Sequence, residues 1–64
     1  MTVKQAILKV SRKWRVKDDL GVAVKKIKPA LYETIGRDLR LLVAEGLMEK
    51  RPAKNMNCNE YRKV

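Results

Sequence analysis

The side chains able to do chemistry in this sequence are few in kind. Histidine and phenylalanine are absent and there is one cysteine, so reactivity rests on Lys, Arg, carboxylates, two tyrosines and Cys58. Imidazole catalysis and His ligation of a metal are therefore excluded. A lone cysteine cannot close an internal disulfide or build a thiolate metal site, which fits a reducing compartment. Cys58 stands between Asn57 and Asn59 with no helix start beside it, so it reads as an incidental thiol. There is no paired-carboxylate motif, no glycine-rich phosphate loop and little room for a pocket in 64 residues. The expectation is a protein that is not an enzyme, holds no cofactor or metal and takes no small-molecule ligand.

Charge is the remaining resource. Sixteen Lys and Arg stand against seven Asp and Glu, giving +9, a density suited to a polyanionic partner and beyond what solubility needs. Simple solubility, or a basic protein of ribosomal or viral type, is the plainer alternative. The distribution is uneven. Residues 1–28 carry nine basic and two acidic groups, residues 29–64 seven and five, so the electrostatic footprint leans to the first half.

The elements that must carry these charges follow from apolar spacing. Val3, Ile7, Val10 and Trp14 recur at helical intervals behind Thr2, a good N-cap, and predict a first helix over residues 2–14 that packs through Trp14. Gln5, Lys9 and Arg12 fall on its opposite face. Arg15-Val16-Lys17 alternates and suits a single short strand. Asp18 offers the next cap, and Leu20, Ala23, Val24 and Ile27 predict a second helix over residues 19–27, with acids at its start and Lys25 and Lys26 in its last turn. Gly21 weakens that helix. Pro29 suits a helix first turn and opens a third helix over residues 29–45, whose core stripe is Leu31, Ile35, Leu39 and Leu42. Its outward side carries Glu33, Arg37, Arg40 and Ala44, with Thr34 and Leu41 at the edge.

Gly46 then ends the helix, because glycine accepts the left-handed conformation that caps the last carbonyls and reverses the chain. Residues 47–51 and 60–64 read as two strands joined by a polar loop carrying Lys54, Asn55 and Asn57. The expected class is α+β, mostly α, as one domain over residues 1–64. No run approaches the roughly 18 apolar residues of a membrane span, and the N-terminus lacks the apolar block of a signal peptide. A soluble, cytoplasmic protein with no membrane partner is expected.

The junction "RDLRLLVAEGLMEKR", followed by "NEYRKV", resembles the winged helix-turn-helix domains of bacterial, archaeal and phage regulators. The resemblance covers nearly the whole chain and is strongest from Ile35 to Arg51. It implies three helices and a C-terminal hairpin wing over residues 47–64, with double-stranded DNA as the partner. It further implies that Thr34, Arg37 and Arg40 face bases or nearby phosphates, that Glu33 accepts from a cytosine amino group, and that Lys54 and Asn55 are wing contacts, with Lys28 completing the DNA-binding set. The connection Lys28-Pro29-Ala30 departs from the usual helix-turn-helix turn. A chain this short with no sensor module resembles small transcriptional regulators and excisionase-like factors of phages, plasmids and archaeal viruses, acting as a homodimer or cooperative array.

Other readings stay open at this point. Arg37 and Arg40 could be a solvated face paired with Glu33 or Glu45. Tyr32 and Tyr61 are expected to pack with exposed hydroxyls, and Trp14 to lie in the core. A winged-helix protein-interaction module and a basic RNA-binding protein are the alternative functions.

Overall fold

The computed structural model describes residues 1–54 and 57–64. In chain order it has α1 (Val3–Val10), β1 (Arg15–Val16), α2 (Lys17–Ile27), α3 (Tyr32–Ala44), β2 (Met48–Pro52) and β3 (Asn59–Lys63). The class is α+β and mostly helical. The strands form one antiparallel sheet in the order β1-β3-β2.

α1 starts where its sequence directs. The Thr2 hydroxyl accepts from the Gln5 N–H at 3.2 Å, and the Gln5 side chain accepts from the Thr2 N–H at 2.8 Å, a reciprocal pair that satisfies two otherwise free donors. The helix stops at Val10 rather than near residue 14. Ser11 is fully buried and its hydroxyl donates back to the Ile7 carbonyl, an alternative to continued helix. The chain must also turn there to deliver Arg15 and Val16 to β3, in register with Tyr61 and Glu60.

α2 begins earlier than expected, with Val16 at the cap position and Asp18 and Asp19 inside the first turn. The carboxylates thus act on the helix dipole without capping. Gly21, a poor helix former, has a packing reason: a Cβ there would lie 2.7 Å from Cε1 of Tyr32. Lys28 ends α2 in an extended conformation (φ −148°, ψ 110°), which a residue before proline prefers. Pro29 consequently belongs to the connection, and α3 begins at Tyr32. Leu31, expected in the core stripe, is the extended residue ahead of α3 and is 72% exposed.

The core is Ala6, Ile7, Leu20, Val24, Ile35, Leu39, Leu42 and Met48, with Val3, Leu8, Val10, Ala30, Val43 and Tyr61 packed around it. All three helices and the hairpin therefore share one apolar cluster. At the end of α3, Gly46 has φ 79°. Its N–H donates to the Val43 carbonyl at 3.1 Å and that of Leu47 to the Leu42 carbonyl at 3.0 Å, the paired closure by which a left-handed glycine ends a helix. Chain reversal drops Met48 straight into the core. Met48 pairs with Lys63 and Pro52 with Asn59, one residue later at each strand start than the sequence suggested for β2 and one earlier for β3. Pro52 sits at the end of an edge strand, where a missing N–H is tolerated. Among the described residues no helix is long and apolar enough to cross a membrane.

Candidate nucleic-acid interface

The outward face of α3 is as the helical wheel places it. Glu33, Arg37, Arg40 and Ala44 are exposed, as is Leu41, while Thr34 is half-buried. Neither arginine is tied up as a solvated helix face would have it. Arg37 Nε lies 3.5 Å from the carboxylate of the adjacent Asp38, a long approach, and the arginine side chain stays 65% exposed. Arg40 has no carboxylate partner among the described residues. Glu45 instead takes Lys4 of α1 at 2.9 Å.

The sheet brings further cations to this helix. Residues directly opposite in an antiparallel pair project to the same face and neighbours along a strand to opposite faces. Lys50 and Tyr61 are therefore on the face that carries Met48 into the core. A groove results between the last turns of α3 and the hairpin, lined by Arg40, Val43, Ala44, Lys50 and Tyr61. At the other end of α3, Lys17 lies against Gly36, where a Cβ would come within 3.1 Å of its Nζ. On the helical wheel Gly36, Arg40 and Val43 share a flank. Lys17, Arg40 and Lys50 are thus strung along one side of α3, with Arg37 next to them on its outward face.

The remaining residues of the expected set are less concentrated. Lys28 is half-buried at the end of α2, its N–H donating to the Val24 carbonyl at 2.8 Å. Lys54 is exposed just beyond β2 and shares a shallow surface with Arg51, Pro52, Ala53 and Glu60. Asn55 lies outside the described residues.

The two aromatic side chains nearest these charges are engaged. Tyr32 rests on Gly21, donates its hydroxyl to the Asp18 carbonyl at 3.4 Å and carries the Lys25 ammonium 4.1 Å from its ring centre. Trp14 is not in the core. It is half-buried on the outer face of the sheet, with the Arg51 and Arg62 guanidinium groups 4.0 and 4.6 Å from its ring. The reason is α1's early end, which sends Trp14 toward the hairpin. Those arginines are also ion-paired across the strands, Arg51 to Glu60 at 3.0 Å and Arg62 to Glu49 at 2.6 Å.

Lys50 and Lys17 were missed from the sequence for different reasons. Strand alternation counted from the buried Met48 points to Lys50; no local signal links Lys17 to Gly36 across nineteen positions of sequence. Chemically, the α3 surface offers guanidinium, ammonium and hydroxyl donors in a row, with acceptors from Glu33 at one end. Such a set can neutralise phosphates and donate to base edges. No protein-family model matches this sequence and no curated protein does, so the functional reading rests on this geometry.

Proposed function

We propose that the chain is a winged helix-turn-helix domain that binds double-stranded DNA, serving as a small transcriptional regulator or excisionase-like factor. The observation that carries the reading is the groove in which Arg40 of α3 and Lys50 of β2 converge without a carboxylate partner among the described residues. An α-helix about 10–12 Å across fits a major groove about 12 Å wide. With α3 seated there, Arg37 and Thr34 face base edges and Glu33 can accept from a cytosine amino group. Arg40, Lys50 and Lys17 flank the helix, where the phosphate backbone runs. Lys54 and Lys28 lie further out and act as additional phosphate contacts. The glycine closure at Gly46 fixes the angle between helix and hairpin, so the reading helix and its backbone grip move as one piece.

A single copy spans one half-site, and specificity of the usual size for a regulator then comes from a dimer or a cooperative array. The RNA-binding alternative is less favoured for unstacked bases, since Trp14 and Tyr32 already hold cations. Titration of a short duplex at several salt concentrations tests the proposal. With about five phosphates neutralised, log K falls against log salt with a slope of about −4 to −5. A flat dependence, or equal preference for single-stranded RNA, overturns it.

A further inference from the structure

Of the cations in the first half of the chain, Lys17 joins the α3 surface, whereas Lys9 and Arg12 line a different groove. α1 buries Ala6 and Ile7 against the core that α3 supplies with Ile35, Leu39 and Leu42. Two helices packed through their buried sides turn their exposed sides away from one another, so Gln5 and Lys9 on α1 point away from the direction taken by Arg37 and Arg40. Gln5 and Lys9 line a second groove together with Leu8, Arg12 and Lys63.

Lys63 is brought there by the backbone. Its N–H donates to the Ser11 carbonyl at 2.8 Å, fastening the end of β3 to the end of α1 and setting its side chain beside Arg12. The three cations have no carboxylate partner among the described residues, whereas Lys4, Arg15, Arg51 and Arg62 are all paired with acids. No carboxylate lines this groove. Leaving three like charges together without compensation is unfavourable for the free protein, and an anion in the groove relieves it.

We propose that this groove is a second DNA-backbone site, and that one copy of the protein holds two duplex segments, one on α3 and one on α1. The inference rests on the DNA-binding reading of α3. Duplex DNA is favoured as occupant because Lys9, Arg12 and Lys63 supply point and fork donors for phosphate with no aromatic surface among them for unstacked bases. The molecule measures only 22 and 20 Å along its shorter axes, so the two segments would lie close. Cations on both sides of the protein offset the repulsion between them. The α1 site grips backbone alone and is indifferent to sequence.

The test uses the full chain and two readouts. Affinity for one short labelled duplex is measured by anisotropy, and bridging is measured as capture of a free labelled duplex by a bead-bound duplex. Wild type is expected to capture the second duplex. The triple variant Lys9→Ala/Arg12→Ala/Lys63→Ala is expected to lose capture at least tenfold while single-duplex affinity falls no more than about threefold, with circular dichroism and solution mass unchanged. The variant Arg37→Ala/Arg40→Ala is expected to lose both. No capture by wild type that still binds one duplex overturns the second site and leaves the α3 reading standing. Capture that survives the triple variant, or falls only by the same factor as single-duplex affinity, also overturns it. Failure of wild type to bind any duplex removes both readings.

Discussion

The two faces of the β2–β3 hairpin are built from the same residue types and put to opposite uses. On the outer face Glu49, Arg51, Glu60 and Arg62 pair across the strands and two guanidiniums lie on Trp14. On the inner face Met48 is buried, Tyr61 is half-buried, and Lys50 faces α3 with no acid beside it. Cross-strand ion pairs on an exposed sheet face contribute modestly to stability and leave little net field. An unpaired cation contributes nothing to the fold and keeps its full attraction for an anion. Counting lysines and arginines therefore overstates the free cationic surface on one face, and the second half of the chain, weakly charged in sum, can still present a strongly cationic flank.

The contrast depends first on the core that sets strand register. Leu39 is 1% exposed in the core, and Leu39→Ala is expected to cost about 2–5 kcal/mol, close to the whole stability of so small a domain. Both faces would then be lost together, and thermal denaturation would show the midpoint collapse. A melting temperature within a degree or two of wild type would mean that the faces are organised locally and not by the core.

A smaller, more selective effect is expected at Arg37, an exposed cation on the outward face of α3. Arg37→Ala should cost about 1–3 kcal/mol on a preferred duplex and relax selection at one base pair, since a guanidinium can hold guanine through two hydrogen bonds. Titrations on preferred and scrambled duplexes read this directly. Equal losses on both would give Arg37 the backbone-gripping role proposed for Arg40 and Lys50.

How much of this was legible in the sequence follows from the range of each interaction. Leu20 and Val24 of the α2 stripe, the α3 stripe from Ile35 on, the Thr2 cap and the Gly46 ending rest on residues within a turn of one another, and the outward Glu33, Arg37 and Arg40 follow from them, whereas Ile27, at the last position of the α2 stripe, is 43% exposed where the helix ends ahead of Pro29. Leu31 and Trp14 were misplaced because periodicity continued past the point where Pro29 and the buried Ser11 stopped the helices. Their stripes were extrapolated across a connection. The pairing of Glu45 with Lys4 and the cations on Trp14 join residues distant along the chain, and no spacing rule reaches them. Lys50 lay between these cases, recoverable once Met48 was recognised as buried.

The finest expected difference sets the two hairpin faces directly against each other. Lys50→Ala removes a cation with no carboxylate partner among the described residues, so stability should be unchanged, while the salt slope of the proposed DNA binding falls by about one unit, the mark of one lost phosphate contact. Lys54→Ala, beyond the end of the strand, should lower the slope similarly and weaken all duplexes alike. Arg62→Ala is expected to do the reverse. It breaks a 2.6 Å pair with Glu49 and leaves the Trp14 ring, costing about 0.5–1 kcal/mol because the pair is half-exposed and well screened, and it leaves the salt slope where it was. Denaturant melts and salt titrations on the same three proteins give the comparison its sharpest form. If Arg62→Ala lowers the slope as much as Lys50→Ala does, its ion pair yields to phosphate when DNA arrives, and the outer face belongs to the binding surface.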